Sequence, residues 1–460
     1  MTLIKSISGI RGTIGGKPGE NLTPIDTVKF AAAYGSWIKQ QRQKENYRVV
    51  VGRDARISGE MIQQLVIQTL VGMGIDVVNL ELSTTPTVEV AVTLEHADGG
   101  IIITASHNPK QWNALKLLNA RGEFIDDIEG KKILAIAESE NFSFAEVDAL
   151  GKVILNEAYI DIHIDEIMNL PLVDEDLVRK TGFKVVVDAV NSTGGIAVPL
   201  LLDRMGVQVI KLYCTPNGEF PHNPEPLKEH LGEISQLVFK EKADLGIVVD
   251  PDVDRLALIC ENGEMFGEEY TLVACADYVL SKTPGNTVSN LSSSRALRDV
   301  TEKHGGLYEA AAVGEVNVVQ KMKEIRAVLG GEGNGGIIYP ELHYGRDALV
   351  GIALFLTHLA EKGMKVSQLR ATYPDYFMSK KKIELSAGMN VDFILEKIRQ
   401  KYSNEKITTI DGVKIDFDDS WVHLRKSNTE PIIRIYTEAP LQEQADALAD
   451  RFIEELGSIS

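Results

Sequence analysis

The stretch DLGIVVDPDVDR, residues 244–255, is an apolar run that ends in three carboxylates at alternate positions, Asp250, Asp252 and Asp254. A short, continuous apolar run bounded by turn residues is the pattern of a strand buried on both faces. Similar runs occur in VVVGRDAR at 49–56 and KVVVDAV at 184–190, and another covers 99–103 before TASHNP. Each has a helix-length periodic segment before or after it. The alternation predicts α/β layers with mixed or parallel sheets, whose ligands bind beyond the carboxyl ends of the strands. An aspartate at that place is also an ordinary turn starter or helix cap, and for Asp54 and Asp188 both readings stand.

After Tyr373 the texture changes. Alternating stretches such as Lys382–Leu385 and Trp421–Leu424 are separated by helical segments near 391–402 and 442–456. That pattern predicts an α+β module with an antiparallel sheet. A chain of 460 residues is expected to hold roughly three or four domains. The boundaries fall near 155, 262 and 374, giving segments 1–155, 156–262, 263–374 and 375–460.

Lys and Arg number 48 against 66 Asp and Glu, a formal charge of -18. The field of such a chain repels polyanions, so nucleic acid is not expected as a partner, and an anionic small substrate needs a local cluster of cations and N–H groups. Cys214, Cys260 and Cys275 show no CxxC spacing, which suggests neither a disulfide framework nor a zinc site. No apolar leader or membrane-length run is evident, and a cytoplasmic setting is expected.

Oxygen ligands concentrated in DPDVDR suit a hard divalent cation, Mg2+ before Ca2+. An EF-hand would need glycine where Arg255 stands, and the strand-like 256–260 intervenes before Glu261. The plain alternative is a solvated acidic turn. Arg255 beside the loop suggests a phosphate neighbour.

In TASHNP, residues 104–109, Ser106 is placed on an exposed turn with His107 and Asn108, as a nucleophile or as part of an ordinary turn. The GxSxG elbow is absent. GGEGNGG, residues 330–336, contains a formal GxGxxG, but Tyr339 and Pro340 follow where a dinucleotide site needs a helix. It reads as a flexible loop offering Glu332 and Asn334 to sugar hydroxyls, or as a plain glycine-rich turn. RKSNTEP, residues 425–431, with Arg434 on the next strand, gathers the donors a phosphate dianion wants, or forms a helix-capping turn with surface arginines.

With these four motifs in this order, the chain resembles the α-D-phosphohexomutase family over essentially its whole length. The resemblance implies three related α/β domains with mixed sheets and a C-terminal α+β domain around a central cleft. It implies that Ser106 carries the phosphoryl group and that Mg2+ is held by that phosphate with Asp250, Asp252 and Asp254. Glu332 and Asn334 would contact sugar hydroxyls. Arg255 would lie beside the substrate, and Arg425, Ser427, Asn428, Thr429 and Arg434 would hold the non-reacting phosphate.

SGIRG would put Arg11 near the phosphoserine beside His107, GRDARISG at 52–59 resembles the family's GRDxRxSG, and Lys116 in WNALK resembles its proton-transfer lysine. Two positions depart from the commonest bacterial pattern: Gly336 stands where a His ends the sugar loop, and Asn428 where Gly is usual. That leaves the general base open and brings the chain closer to the archaeal-type branch. The implied reaction interconverts a hexose 6-phosphate and a hexose 1-phosphate through a hexose 1,6-bisphosphate, with glucosamine phosphate favoured over glucose and mannose phosphates. Two rival readings remain at this point. One is a haloacid-dehalogenase-like phosphatase with Asp250 as nucleophile, and the other is a non-enzymatic sugar-phosphate binding protein. Monomer and homodimer are both open.

Overall fold

The computed structural model describes residues 2–6, 9–41, 43–384, 390–426 and 432–459. They form two compact units, Met1–Tyr278 with Asn334–Arg370, and Val279–Gly333 with Ala371–Ser460. The segment 263–374 contributes to both.

In the first unit, seven strands lie side by side in the order Ile4–Ser6, Gly9–Thr13, Trp112–Leu118, Gly99–Ile103, Tyr47–Arg53, Ile75–Leu82 and Val153–Leu155. The first four pair antiparallel and the last four parallel. The apolar runs are continuous because both faces of this sheet are covered. Val49, Val51, Ile101 and Ile103 pack on Phe30, Trp37, Ile62 and Leu70 on one side. Val50, Val78 and Ile102 pack on Val88, Ala91 and Val92 on the other. A second sheet takes the order Leu256–Cys260, Leu245–Val249, Lys184–Asp188 and Gln208–Leu212, with its first pair antiparallel and the rest parallel. Mixed sheets are thus found where the alternation of strands and helices predicted them.

The second unit contains the parallel strands Tyr308–Ala311, Asn286–Asn290 and Ala327–Glu332. It also contains an antiparallel sheet in the order Phe377–Glu384, Ile432–Ala439, Trp421–Lys426, Val413–Asp416 and Lys406–Thr408. The helices Val391–Lys401 and Gln442–Ile459 bring Ile394, Ile398, Phe452 and Leu456 onto Ile415, Val422, Ile433 and Ile435 of that sheet. This is the α+β module expected after residue 373. Among the described residues no helix is long and apolar enough to cross a membrane.

Among its described residues the second unit encloses one lysine, Lys414. Lys414 donates from Nζ to the Leu291 carbonyl at 2.8 Å and lies 4.2 Å from the centroid of the Trp421 ring. Burial pushes its pKa down to about 8, against the opposing pull of Asp416 and Glu438. The unfolded chain holds that proton up to about pH 10.5, so between pH 8 and 10.5 the unfolded state binds more protons and stability rises with pH. Lys414→Met should lack this slope. From pH 7.5 to 10.5, urea unfolding of the two chains should move in favour of the wild type by about 1–3 kcal/mol. Parallel pH profiles would show that Lys414 is not the titrating group.

Candidate active site

Nine non-glycine residues among the described residues of the first unit have positive φ, a backbone conformation that L-residues rarely adopt, and two of them lie in the motif loops. Ser106, three residues past the strand Gly99–Ile103, has φ +49°, and Val253, inside the DPDVDR loop, has φ +64°. For a β-branched valine this conformation costs on the order of 1–3 kcal/mol, and it persists only where the surroundings over-determine it.

The surroundings of Ser106 are set by Arg56, whose side chain is fully enclosed. Its Nε donates to Asp54 Oδ2 at 3.0 Å, and Nη1 donates to the carbonyls of Pro109 at 2.8 Å and Trp112 at 3.0 Å. Nη2 donates to the carbonyls of Ser106 and of Asn108, the latter at 2.6 Å. Every N–H of the guanidinium is used, and four of its five acceptors are carbonyls of the turn that carries Ser106. Asp54 also accepts from the Arg56 backbone N–H at 2.9 Å and from Thr104 Oγ1 at 2.7 Å, and Thr104 Oγ1 accepts from the Ser106 N–H at 2.9 Å. Of the two readings left open for Asp54, the structure supports the turn.

Ser106 is buried, at 6% exposure, which corrects the exposed turn expected from the sequence. Its turn folds against the aspartate loop, and its Oγ donates to Asp250 Oδ2 at 2.8 Å. The acidic loop is equally far from solvated: Asp250, Asp252 and Asp254 are completely buried, with ligand oxygens within 4.8 Å of one another. Asp250 Oδ1 accepts from the N–H groups of Asp254 at 3.1 Å and Arg255 at 3.2 Å. Asp252 Oδ2 accepts from Thr85 Oγ1 at 2.5 Å and Lys116 Nζ at 2.7 Å. Asp254 Oδ2 accepts from Arg346 Nη2 at 2.7 Å.

The remaining oxygens, Asp252 Oδ1 and Asp254 Oδ1, are enclosed and accept no hydrogen bond. Two enclosed carboxylate oxygens without a donor, beside a third carboxylate, fit a divalent cation with oxygen ligands. Burial, then repulsion from Asp254 and Asp252, pushes Asp250 well above the ordinary carboxylate range. Burial would raise Asp252 as well, but Lys116 and Thr85 outweigh it and hold that group low.

Around the loop stand the cations that an acidic chain needs for an anionic ligand. Burial would lower Lys116, yet Asp252 and Asp254 outweigh it and keep the ammonium charged. Arg11 Nη1 donates to Asn108 Oδ1 at 2.9 Å, and Arg255 Nη1 to Glu225 Oε1 at 3.1 Å. Burial and the neighbouring Arg255 and Arg11 push His107 down to about 2, so its imidazole is neutral, with Nδ1 at 3.4 Å from Ser106 Oγ. The departure at Gly336 has a steric counterpart. A Cβ there would lie 2.4 Å from Arg346 Cδ, so the side chain that reaches Asp254 passes through the space a residue other than glycine would fill.

The other sequence candidates are spread over both units. Asn334, in the first, accepts from the Gly336 N–H at 3.3 Å. Glu332, in the second, accepts from Asn290 Nδ2 at 2.8 Å and the Gly314 N–H at 3.1 Å. Arg425 pairs with Asp411 at 2.8 Å, and Arg434 Nη1 donates to Tyr436 at 3.5 Å. Strand register sets Arg425 directly opposite Arg434, and Arg434 directly opposite Lys382. Like charges facing each other across strands are unfavourable unless an anion joins them, so this row supports the anion-binding reading. Ser427, Asn428 and Thr429 lie outside the described residues.

Sequence reasoning missed Thr85, Arg346, Lys382 and the five-acceptor role of Arg56. Only Arg56 had a local signal, its place in GRDARISG.

The sequence profiles of the four phosphoglucomutase/phosphomannomutase domains match in order. The alpha/beta/alpha domains I, II and III cover residues 3–144, 161–263 and 267–376, and the C-terminal domain covers 379–455. A "Phosphoglucomutase/phosphomannomutase" of Thermococcus kodakarensis is 36% identical over 94% of this chain and 95% of its own length. A "Probable phosphoglucosamine mutase" of Methanopyrus kandleri is 33% identical over 97% and 96%. The crystal structure of a phosphoglucomutase/phosphomannomutase family protein from Burkholderia thailandensis superimposes with a TM-score of 0.85 at 25% identity, covering 99% of this chain and 98% of that one.

Fold and site thus define a phosphohexose mutase, an isomerase. The chain belongs to the phosphoglucomutase/phosphomannomutase family, which decides against the phosphatase and binding-protein readings.

Arg56→Lys keeps the charge but cannot serve five acceptors in a plane. It should lower kcat by about a hundredfold through misplacement of the Ser106 turn. It should also lower thermal stability by about 2–4 kcal/mol, because several buried carbonyls lose their donor. Wild-type kcat in a variant destabilised by that amount would separate the turn's geometry from turnover.

Proposed function

We propose that the chain moves a phosphoryl group between two hydroxyls of a hexose phosphate through phospho-Ser106 and a hexose 1,6-bisphosphate, favouring glucosamine 6-phosphate to glucosamine 1-phosphate. The observation that carries this reading is the Ser106 hydroxyl, 2.8 Å from Asp250 in a strained turn beside the enclosed, unpartnered oxygens of Asp252 and Asp254. Phosphoryl transfer asks mainly for in-line positioning and neutralisation of charge. Mg2+ on the three aspartates, together with the Ser106 phosphate, would neutralise charge on the transferring group.

In the forward step the bond from Ser106 Oγ to phosphorus breaks as a sugar oxygen bonds to that phosphorus. The sugar hydroxyl's proton passes to Lys116 Nζ as Lys116 gives its own ammonium proton to Asp252 Oδ2, 2.7 Å away, so that the pair ends one proton richer. The bisphosphate then turns around and its other phosphate returns to Ser106, whose proton has Asp250 Oδ2 and the neutral Nδ1 of His107 as acceptors. Arg11 and Arg255 hold the reacting phosphate. Arg425, Ser427, Asn428, Thr429 and Arg434, with Lys382 beside them, hold the other, and Glu332 and Asn334 bind hydroxyls.

The preference for glucosamine rests on the name of the Methanopyrus relative and on Glu332, whose carboxylate suits a protonated 2-amino group by roughly a kcal/mol or two. The reading takes segments 1–155, 156–262, 263–374 and 375–460 as the four domains and the cytoplasm as the site of action. The partner is a free sugar phosphate, with no nucleic acid or membrane required.

Intact-mass and peptide mass spectrometry of the purified chain should find phosphate on Ser106, and Ser106→Ala should lose several orders of magnitude in kcat while the chain still folds, less stable by about 0.5–1.5 kcal/mol for the lost hydrogen bond to Asp250. Normal turnover in a sample free of wild-type enzyme would remove Ser106 from the mechanism. Side-by-side kcat/KM values for glucosamine, glucose and mannose phosphates decide the sugar: a higher value for glucose or mannose phosphate means the family is right and the substrate wrong.

A further inference from the structure

Behind the aspartate loop, the first unit holds a second group of metal-ligating side chains, His163, His343 and Asp347, whose ligand atoms lie within 4.8 Å of one another. His163 Nε2 is 3.0 Å and His343 Nε2 3.3 Å from the same oxygen, Asp347 Oδ2. His163 and Asp347 are completely buried, and the His343 side chain is 9% exposed.

We propose that His163 Nε2, His343 Nε2 and Asp347 Oδ2 form a three-ligand site for a borderline divalent transition metal of the zinc class, separate from the oxygen-only aspartate loop. Two nitrogens and one oxygen select such an ion over Mg2+. The spacing agrees: bonds of about 2.0–2.1 Å in a tetrahedron put neighbouring ligands about 3.3 Å apart, near the two separations found. The far side of His163 and of Asp347 is fixed by hydrogen bonds, as metal sites require, and that of His343 faces a carboxylate. His163 Nδ1 meets Thr87 Oγ1 at 2.9 Å, and His343 Nδ1 meets Glu89 Oε2 at 3.2 Å. Asp347 Oδ1 accepts from the N–H groups of Leu349 at 2.8 Å and Val350 at 3.3 Å, leaving Oδ2 for the ion. A Cβ on Gly345 would lie 1.8 Å from Glu89 Oε2, so the chain keeps this place clear of a side chain.

Charge points the same way. Glu89 and Asp347 bring two buried negative charges, and a divalent ion between two neutral imidazoles cancels them. The ion would join the helix Tyr159–Met168 to the start of the helix Ala348–Lys362, next to Arg346.

The test uses the full chain, loaded with zinc and dialysed against millimolar Mg2+ so that the aspartate loop is supplied. Elemental analysis should return one zinc per chain. Asp252→Asn should retain it, while His163→Gln and His343→Gln should each weaken retention by at least 10–100-fold. Because a histidine variant can fail to fold, the wild type is also titrated with Co2+, which should give the intense visible bands of a tetrahedral N/O site. Less than a tenth of an equivalent of zinc in the wild type, zinc lost on Asp252→Asn but kept in both histidine variants, or weak octahedral Co2+ bands would each overturn the proposal.

Discussion

The guanidinium of Arg56 makes five hydrogen bonds inside the first unit, four of them to carbonyls of residues 106–112. A turn of this kind, with a serine in the left-handed region, leaves several carbonyls facing inward, where water cannot serve them. One planar cation meets all of them at once, and Asp54 balances its charge at 3.0 Å. The Phe220 ring, 5.1 Å from the guanidinium carbon, closes another side. Without this arrangement the Ser106 hydroxyl would have no fixed position relative to Asp250, and the aspartate loop would face an unordered neighbour.

The second constraint is repulsion. Three carboxylates buried together and three cations in register across strands are both unfavourable by themselves. Both are answered in part within the chain, by Lys116 and Arg346 at the aspartates and by Asp411 at Arg425. In a chain with a net charge of -18, placing Lys116, Arg346, Arg255 and Arg11 around one loop concentrates positive potential where the overall field has the opposite sign.

Much of this was legible in the order of residues. The buried strands announced themselves as unbroken apolar runs because helices cover both faces of their sheets, and the antiparallel sheet by its alternation after residue 373. Asp250, Asp252 and Asp254 stood out because a ligand set at every second position is local in sequence. Ser106 was found by its neighbours, but its burial was not, since what covers it is a loop about 145 residues away. Arg346, Thr85 and Lys382 act across 92, 167 and 52 positions respectively, and no local pattern distinguishes them from ordinary surface or capping residues. His163, His343 and Asp347 escaped for the same reason, and the three cysteines, without CxxC spacing, pointed away from zinc.

The contact between Gly336 and Arg346 bears on how such a site can change over generations. With Arg346 in place, any larger residue at 336 meets its side chain at 2.4 Å, and with Arg346 gone, Asp254 loses its 2.7 Å partner. The two positions therefore behave as a single inherited character. A lineage that exchanges this arginine for a basic side chain on the 330–336 loop must cross an intermediate that is either crowded or short of a positive charge at the aspartates. Such a step is permitted only where stability or activity is in surplus, so exchanges at 336 and 346 should prove strongly non-additive.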